Sequence, residues 1–357
     1  MINPGTPMMS KDIAAQMAGG LTLQPSGLVL GLPDMTIRVR SNSTALLEKL
    51  RAYFKHIGIE DGDATVEIQA FECAPPDLAL DYVDWPREVG KMGRKDALID
   101  LSDGRIVKKV RTGMMFLQSV DHRIAAGPCL ENDNQVINFI CHATGLVRNG
   151  LALGLAGFSG GGKSTLMLHM LNEDGTAFLS NDRLFARRTD KGVFAAGIPK
   201  LPRINPGTAL NNPCLGSIVT PERRDELASL PASELWDIEE KYDVDIDQIY
   251  GPDRIVARAP LCGFLVLNWS HTADAPTQIN EVNLGQRRDL LAAVMKSSGP
   301  FYQLADGSMY TKSSVLDEEA YLSTFQGVPF YEVTGRVDFD QIARHCLNRF
   351  FDKGPQT

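Results

Sequence analysis

The chain has 357 residues, of which 43% are hydrophobic, so its length allows one large domain or two of ordinary size with a buried core. Its net charge of -8 argues against sequence-independent nucleic-acid binding, which depends on basic side chains that displace counterions from phosphates. No stretch reaches the roughly 18 apolar residues of a membrane span, and the N-terminus lacks a signal-peptide pattern, so we expect a cytoplasmic protein with neither nucleic-acid nor membrane partners. The six cysteines form no C-x-x-C pair, and we expect them to be reduced thiols.

Residues 1–133 have the pattern of an N-terminal α+β domain whose strands are mostly antiparallel. A helix is predicted to begin near Ser43, because apolar residues follow at helical spacing. These residues are Leu46, Leu47, Leu50 and Phe54. Alternation at Val66, Ile68 and Ala70 predicts a half-buried strand. Further strands are predicted at 97–101 and 105–110 as a hairpin around Ser102-Asp103-Gly104, and at 114–117.

Residues 134–357 are predicted to form a second domain that begins with a helix at 134–147. His142 lies on this predicted helix, and an isolated histidine there is more often structural than catalytic, so the predicted site omits it. A buried strand at 151–156, a helix at 163–171 and a strand at 177–179 follow as a parallel βαβ pattern. The next strands, 184–188 and 193–196, predict a hairpin, which a purely doubly wound domain would not contain.

The remaining elements are predicted from prolines, acidic residues and apolar runs. Four prolines between 199 and 213 predict an ordered loop rather than a helix, and the acidic residues 222–247 are predicted to be helical in part. The predicted core strands are 261–269 and 329–333, and the predicted helices are 285–296 and 338–351.

One motif carries a chemical prediction: the eight residues from 157 to 164 match the phosphate-binding P-loop pattern G-x-x-x-x-G-K-[ST] at every fixed position. A triphosphate is densely negative, so such a loop turns successive backbone N–H groups inward, and its glycines allow close approach. Lys163 can reach the outer phosphates and the Ser164 hydroxyl can bind magnesium, so ATP and Mg²⁺ are the predicted cofactors. The residues predicted to contact the nucleotide are Gly157, Phe158, Ser159, Gly160, Gly161, Gly162, Lys163, Ser164 and Thr165.

Asp182 ends the strand that follows the P-loop helix, in the segment Phe178-Leu179-Ser180-Asn181-Asp182. There its carboxylate could face magnesium or the incoming nucleophile, so Asp182 is predicted as a catalytic residue and, with Ser164, as a metal ligand. A hairpin cap is the alternative role for Asp182. The signature segment and Asp-Glu strand of transporter ATPases are missing from the sequence, and so is the Asn-Lys-x-Asp element of GTPases.

On these residues the chain resembles the HPr kinase/phosphorylase group, and within it the proteins called HprK-related kinase B. The shared features are the G-x-S-G-x-G-K-S form of the loop, the closely following acidic strand end, and the order strand, P-loop, helix, strand and hairpin over residues 134–210. The resemblance implies an α/β fold with α+β character. Its core would be a mixed sheet with flanking helices, like that of phosphoenolpyruvate carboxykinase.

The chain departs from that family at Asn181, which stands where the resemblance implies a general-base aspartate. Asparagine cannot act as a base. Asp182 could take both roles, another carboxylate could substitute, or transfer could proceed with little base assistance, since phosphoryl transfer depends mainly on positioning and charge neutralisation. The Arg-Gly-Leu-Gly-like segment of enzymes with phosphorylase activity is missing, so phosphorolysis is not expected.

Lys200 and Arg203 follow the predicted hairpin in a segment restrained by prolines. They are catalytic candidates that could neutralise charge in the transition state, and their alternative role is that of solvated surface cations. The acidic residues 239–247 lack the glycine-turned spacing of a calcium loop and are interpreted as a solvated surface.

The first hypothesis is therefore a kinase that transfers the γ-phosphoryl group of ATP to a hydroxyl of a protein or small molecule. The second is a nucleotide-dependent switch or assembly factor with weak ATPase activity, which Asn181 supports. A third, a carboxykinase-like enzyme, would need a metal-binding His and Lys pair upstream of the loop, which the sequence does not identify. The resemblance implies a protein acceptor from a gene cluster with an ATP-grasp enzyme, and a homo-oligomer.

Overall fold

The computed structural model describes most of the chain, which forms two compact units. The described residues are 9–59, 62–64, 66–74, 78, 80–85, 96–109, 114–119, 139–158, 160–231, 234–235, 238, 240–270, 272–303, 308–311 and 316–351. The first unit comprises Met1–Ile137 and Ser297–Leu316, and the second comprises Asn138–Lys296 and Asp317–Thr357. Residues 297–316, which the sequence places in the second domain, therefore group by their contacts with the first unit.

The described residues of the first unit form two helices and, near the N-terminus, a four-stranded sheet. The helices are α1 (Ser10–Ala18) and α2 (Thr44–Tyr53), and the strands are β1 (Leu28–Leu32), β2 (Met35–Ser41), β3 (Gly58–Ile59) and β4 (Val66–Ala70). The strand order is β3-β1-β2-β4, with β2 and β4 parallel and the other pairs antiparallel. Helix α2 begins where predicted, because the Ser43 side chain accepts a hydrogen bond from the Leu46 N–H at 3.1 Å.

The first unit also contains a second sheet, whose strand pairs are all antiparallel. Its strands are β5 (Val83–Trp85), β6 (Asp96–Leu101), β7 (Gly104–Lys109) and β8 (Met115–Ser119), in that order. The predicted hairpin and third strand are thus confirmed. Arg105 of β7 is 1% exposed and donates to the carbonyls of Pro300 and Tyr310 at 2.9 and 2.6 Å. These bonds explain why residues from the distant segment 297–316 belong to this unit.

The second unit is built on a nine-stranded mixed sheet, accompanied by a two-stranded ribbon. The sheet strands are β9 (Phe139–Cys141), β10 (Ala143–Arg148), β11 (Leu151–Gly157), β12 (Thr176–Ser180), β13 (Leu184–Thr189), β14 (Gly192–Gly197), β17 (Arg258–Leu267), β18 (Gln278–Val282) and β19 (Phe330–Thr334). The ribbon pairs β15 (Arg203–Ile204) with β16 (Tyr242–Asp243). The order is β12-β10-β11-β17-β14-β13-β9, and β19 joins β17 to β18.

Helices cover both faces of this sheet. They are α3 (Lys163–Leu171), α4 (Pro206–Leu210), α5 (Pro221–Ala228), α6 (Ile246–Tyr250), α7 (Arg288–Val294), α8 (Glu318–Thr324) and α9 (Phe339–Cys346), followed by a π-helical turn. Residues of α3 and α9 share one core with Leu153 and Leu155 of β11, whereas α7 and α8 share another with Ala152 and Ala156. The alternation along β11 shows that the strand is buried on both faces, as its continuous apolar run predicts. The mixed α/β fold class is confirmed.

The predicted helix at 134–147 is wrong where the structure describes it, because residues 139–141 form β9 and residues 143–148 form β10. Residues 134–138 lie outside the described residues. Residues 143–147 are all buried, so the two faces of β10 show no difference in polarity and the period of two is hidden. Gly145 also lies against Leu179 and Leu184, where a Cβ would approach Leu184 Cδ1 to 2.7 Å.

Two further sequence predictions need correction. The strands β11 and β12 are not neighbours, because β10 lies between them and is antiparallel to both. The parallel partner of β11 is β17, and β17 is in turn parallel to β19. The proline-rich segment 199–213 is not wholly loop, since α4 begins at Pro206, a position where a missing N–H costs a helix nothing.

No helix among the described residues has the length and apolar character needed to cross a bilayer.

Candidate functional site

The predicted P-loop connects β11 to α3 at the edge of the sheet where the parallel strands end. Gly157 pairs in register with Leu267 of β17, and Leu267 with Val333 of β19. A Cβ on Gly157 would come within 2.9 Å of the Leu267 carbonyl oxygen, so glycine is needed for the strands to approach this closely. The carboxyl ends of parallel strands are where α/β sheets bind ligands. Ser159 lies outside the described residues.

Lys163 lies over the loop rather than in solvent. Its Nζ donates to the carbonyl oxygens of Gly157 at 2.8 Å and Phe158 at 3.3 Å, and the Gly161 N–H also donates to Phe158 at 3.0 Å. A trans peptide directs its C=O and N–H in opposite directions, so holding the Gly157 carbonyl turns the Phe158 N–H away from Lys163. The Phe158 side chain is 47% exposed.

Two glycines of the loop have a left-handed backbone, but only one of them is packed against a side chain. Gly160 has φ +78° and no heavy atom within 4 Å of a Cβ position, whereas Gly162 has φ +81° and would place a Cβ 2.8 Å from the ring of Phe339. Phe339 is the first residue of α9. The packing of α9 on the loop therefore depends on glycine at position 162.

We expect Gly162→Ala to destabilise the protein more than Gly160→Ala. Both changes carry the cost of a left-handed alanine, about 1–2 kcal/mol, but only Gly162→Ala must also displace the Phe339 ring, which adds about 1–3 kcal/mol. Urea unfolding of the two variants measures the difference directly. Equal free energies of unfolding would contradict the contact between α9 and the loop.

Ser164 makes its side-chain contact with the strand end that follows the loop helix. Its Oγ donates to Asn181 Oδ1 at 2.8 Å, so the residue beside the hydroxyl is Asn181 and not Asp182. Thr165 Oγ1 lies 2.8 Å from Thr208 Oγ1 of α4, which fixes the segment after β15 against α3.

Asp182 is held between two basic side chains. Its Oδ1 lies 3.2 Å from Nε2 of His142, and its Oδ2 accepts from Nζ of Lys296 at 3.0 Å. Partial burial opposes ionisation, but the hydrogen bond from His142 and the charge and hydrogen bond of Lys296 outweigh it and hold the pKa of Asp182 well below its ordinary value. Asp182 has φ +67°, a left-handed conformation that aspartate tolerates better than most residues.

The two bases are themselves positioned by backbone hydrogen bonds. The His142 N–H donates to the Val294 carbonyl at 2.7 Å, and Cys141 forms a β-bridge with Met295. The segment that carries His142 is thus joined to the segment that ends in Lys296. We call His142, Asp182 and Lys296 the Asp182 cluster.

The other predicted cations lie in a different environment. Arg203 of β15 forms an ion pair with Asp243 of β16, with Nε and Oδ1 3.1 Å apart and both side chains about half exposed at 51% and 54%. Lys200 is exposed. Arg203 therefore already has an anionic partner in the acidic segment 239–247, while its role toward a phosphate stays a prediction.

The residues near Ser164 suit a small hard cation. Ser164 Oγ and Asn181 Oδ1 are oxygen atoms that can coordinate a metal ion, and they lie within hydrogen-bond distance of each other. Magnesium takes oxygen ligands while keeping several of its waters. One or two protein ligands and phosphate oxygens are sufficient for it. Among the described residues there is no group of three or more His, Cys, Asp or Glu side chains that could hold a metal by itself.

A cavity of about 740 Å³ lies away from the loop. Residues 281–285 and 325–330 contribute to its lining, and Val282 and Phe330 are register partners at the beginning of β19. The loop lies beside the other end of that strand. Cavity volume and motif chemistry thus point to different places.

Comparison with known proteins adds little to this geometry. No family model matches the chain, and no curated protein matches it. Among solved structures, the Hpr(Ser) kinase/phosphatase from Coxiella burnetii is similar over 58% of this chain and 87% of its own, with 11% identity and a TM-score of 0.29. A likeness at this level does not assign the chain to a family.

The sequence misses two residues of this site, His142 and Lys296. His142 falls in a segment that the apolar pattern predicts as a helix, and Lys296 falls at the end of another predicted helix with no motif around it. Their common feature is spatial, since both reach Asp182 from segments far apart in the chain. A single sequence contains no signal for that contact.

Proposed function

We propose that the chain binds ATP with magnesium and transfers the γ-phosphoryl group to a hydroxyl of a protein or small-molecule acceptor. The observation that carries the proposal is the arrangement of the loop, where Lys163 and the Gly161 N–H hold the carbonyls of Gly157 and Phe158 on one side. A glycine-rich loop held in this way beside the N-terminus of α3 can present backbone N–H groups to a polyanion.

Several residues near the loop have a role in this proposal. Lys163 and the loop amides would hold the phosphates, and Ser164 with Asn181 would supply oxygen ligands to magnesium. When bound, magnesium neutralises phosphate charge. Asp182 was predicted from the sequence as a metal ligand, but we assign it to the acceptor because both of its oxygens face bases.

Asp182 is ionised at neutral pH and each of its oxygens retains a lone pair, so it can accept a hydrogen bond from the acceptor hydroxyl and then take its proton. A carboxylate with so low a pKa is a weak base. Phosphoryl transfer tolerates this, because its transition state depends on alignment and charge more than on early proton removal. Lys296 would stabilise the negative charge that develops nearby.

Asn181 favours a second candidate, a nucleotide-dependent switch with weak ATPase activity. A neutral amide beside the Ser164 hydroxyl supplies less charge to a cation than a carboxylate would. The two candidates differ in whether an acceptor is labelled.

Purified protein, magnesium and γ-labelled ATP should be incubated with a lysate of the source cell. A discrete labelled product that is lost with Asp182→Ala and kept with Asp190→Ala, an exposed residue of the β13–β14 turn, supports transfer. Slow release of labelled phosphate with no labelled acceptor supports the switch and rejects the kinase.

If Arg203 stabilises the transferred phosphoryl group, Arg203→Ala should lower kcat about 10-fold or more, as expected for loss of a charged donor to the transition state. Asp243→Ala is the matched control, because it removes the partner of Arg203 and keeps the cation. Steady-state kinetics with an identified acceptor provide the measurement. If neither variant changes kcat, Arg203 serves only its surface ion pair. The same measurement of kcat with Lys200→Ala tests the other predicted cation.

A further inference from the structure

Trp269 contacts the loop from the end of β17, and neither the motif nor the proposed mechanism uses it. Its indole Nε1–H donates to the carbonyl oxygen of Gly161 at 2.9 Å, and its side chain is partly buried. The contact joins a residue that follows β17 to the centre of the phosphate-binding motif.

The Gly161 carbonyl belongs to the same peptide as the Gly162 N–H. Because a trans peptide is planar, its C=O and N–H point in opposite directions, and fixing one fixes the other. A peptide between two glycines lacks the Cβ restraints that limit backbone rotation elsewhere, so it has more orientations to lose on binding an anion. The indole bond removes this freedom before any ligand arrives.

Trp269 can restrain the loop because its own backbone is fixed on both sides. The Asn268 N–H donates to the Val333 carbonyl at 2.9 Å, and the Ser270 N–H donates to the Gly335 carbonyl at 3.0 Å. The Asn268 side chain donates to Glu332 of β19 at 2.8 Å. The indole therefore extends from the segment 268–270, which is hydrogen-bonded to β19 and to Gly335. We call this segment, together with its partner Glu332, the platform.

The Glu332 end of this platform is also restrained. Glu332 is 7% exposed, and it accepts from Nη2 of Arg287 at 2.9 Å in addition to Asn268. The hydrogen bond and charge of Arg287, partly opposed by burial, keep the pKa of Glu332 below its ordinary value, so the Glu332 carboxylate stays ionised at neutral pH.

We infer that Trp269 is a positioning residue for the triphosphate, because its indole holds the Gly161–Gly162 peptide with the Gly162 N–H available to a phosphate oxygen. The inference rests on the proposed nucleotide binding. Trp269 touches the loop and not the reacting atoms, so it should affect binding of ground state and transition state alike. Such a residue changes KM and leaves kcat unaltered.

The test is Trp269→Phe, which keeps an aromatic ring and removes the N–H. We expect the Kd for ATP with magnesium to rise about fivefold, the factor that one hydrogen bond contributes, with KM raised equally and kcat unchanged. The melting temperature without nucleotide should stay near that of the wild type, whereas the shift caused by ATP should shrink. Trp85→Phe, in β5 of the first unit, is the matched control and should change none of these values.

Two results would overturn the inference in distinguishable ways. If the wild type binds no ATP, the proposed function fails and this inference with it. If the wild type binds and Trp269→Phe binds equally well, only the inference fails. A lower melting temperature without nucleotide at unchanged Kd would show a purely structural role. Should Trp269→Phe not fold, Asn268→Ala, an exposed position that loosens the same platform, is expected to raise Kd about twofold, and an unchanged Kd would reject the inference.

Discussion

Replacing Lys163 by methionine, which keeps most of the apolar stem and removes the charge, should weaken binding of ATP with magnesium about 100-fold. Charge-assisted hydrogen bonds to a ligand contribute roughly 1.5–3 kcal/mol each, and Lys163 Nζ lies within hydrogen-bond distance of the carbonyls of both Gly157 and Phe158. Isothermal titration calorimetry measures the change directly.

The control for this variant is Lys191→Met at the exposed tip of the β13–β14 hairpin, which removes the same charge from the same unit. It should bind ATP as the wild type does. If both variants lose affinity equally, the effect comes from net charge. If Lys163→Met binds normally, the loop does not hold the triphosphate through this side chain.

The second large effect is expected at the Asp182 cluster. Asp182→Asn should lower kcat about 100- to 10,000-fold, the range for loss of a group that transfers a proton in the transition state, and should leave the ATP affinity near its wild-type value. A neutral amide cannot take the proton of the acceptor hydroxyl, and it has no negative charge to balance the positive charge of Lys296. Single-turnover transfer with saturating ATP separates the chemical step from binding.

The double variant Asn181→Asp with Asp182→Asn distinguishes two explanations of such a loss. It keeps one carboxylate but moves it to the residue beside Ser164, away from the contacts with His142 and Lys296. We expect it to stay inactive. Recovery of transfer would show that any carboxylate at this strand end is sufficient, and that the Asp182 cluster is not required.

The sequence predicts the P-loop segment well because fixed residue types there serve a local geometry. An apolar strand, a glycine-rich turn and an apolar helix follow one another within residues 151–171, and each forms from its own neighbours. It fails at β10, since a strand buried on both faces carries no alternation, and the error propagates to the strand order. The contacts of Pro300 and Tyr310 with Arg105 are equally hidden, because they join segments far apart in the chain.

For the site, residue types are easier to predict than partners. Lys163 and Ser164 follow from the motif, and Asp182 follows from its place at a strand end. That Ser164 contacts Asn181, and that Asp182 faces His142 and Lys296, depends on how β12, β9 and the end of α7 meet. Those contacts are tertiary, so they cannot be predicted from composition or periodicity.

Hydrogen–deuterium exchange in the presence and absence of ATP with magnesium tests the location of the site most directly. We expect slower exchange in peptides that cover residues 157–165, with adenosine as a control that lacks phosphates and gives no such protection. Protection confined to another region, such as the cavity lined by residues 281–285 and 325–330, with unchanged exchange in the loop, would contradict it.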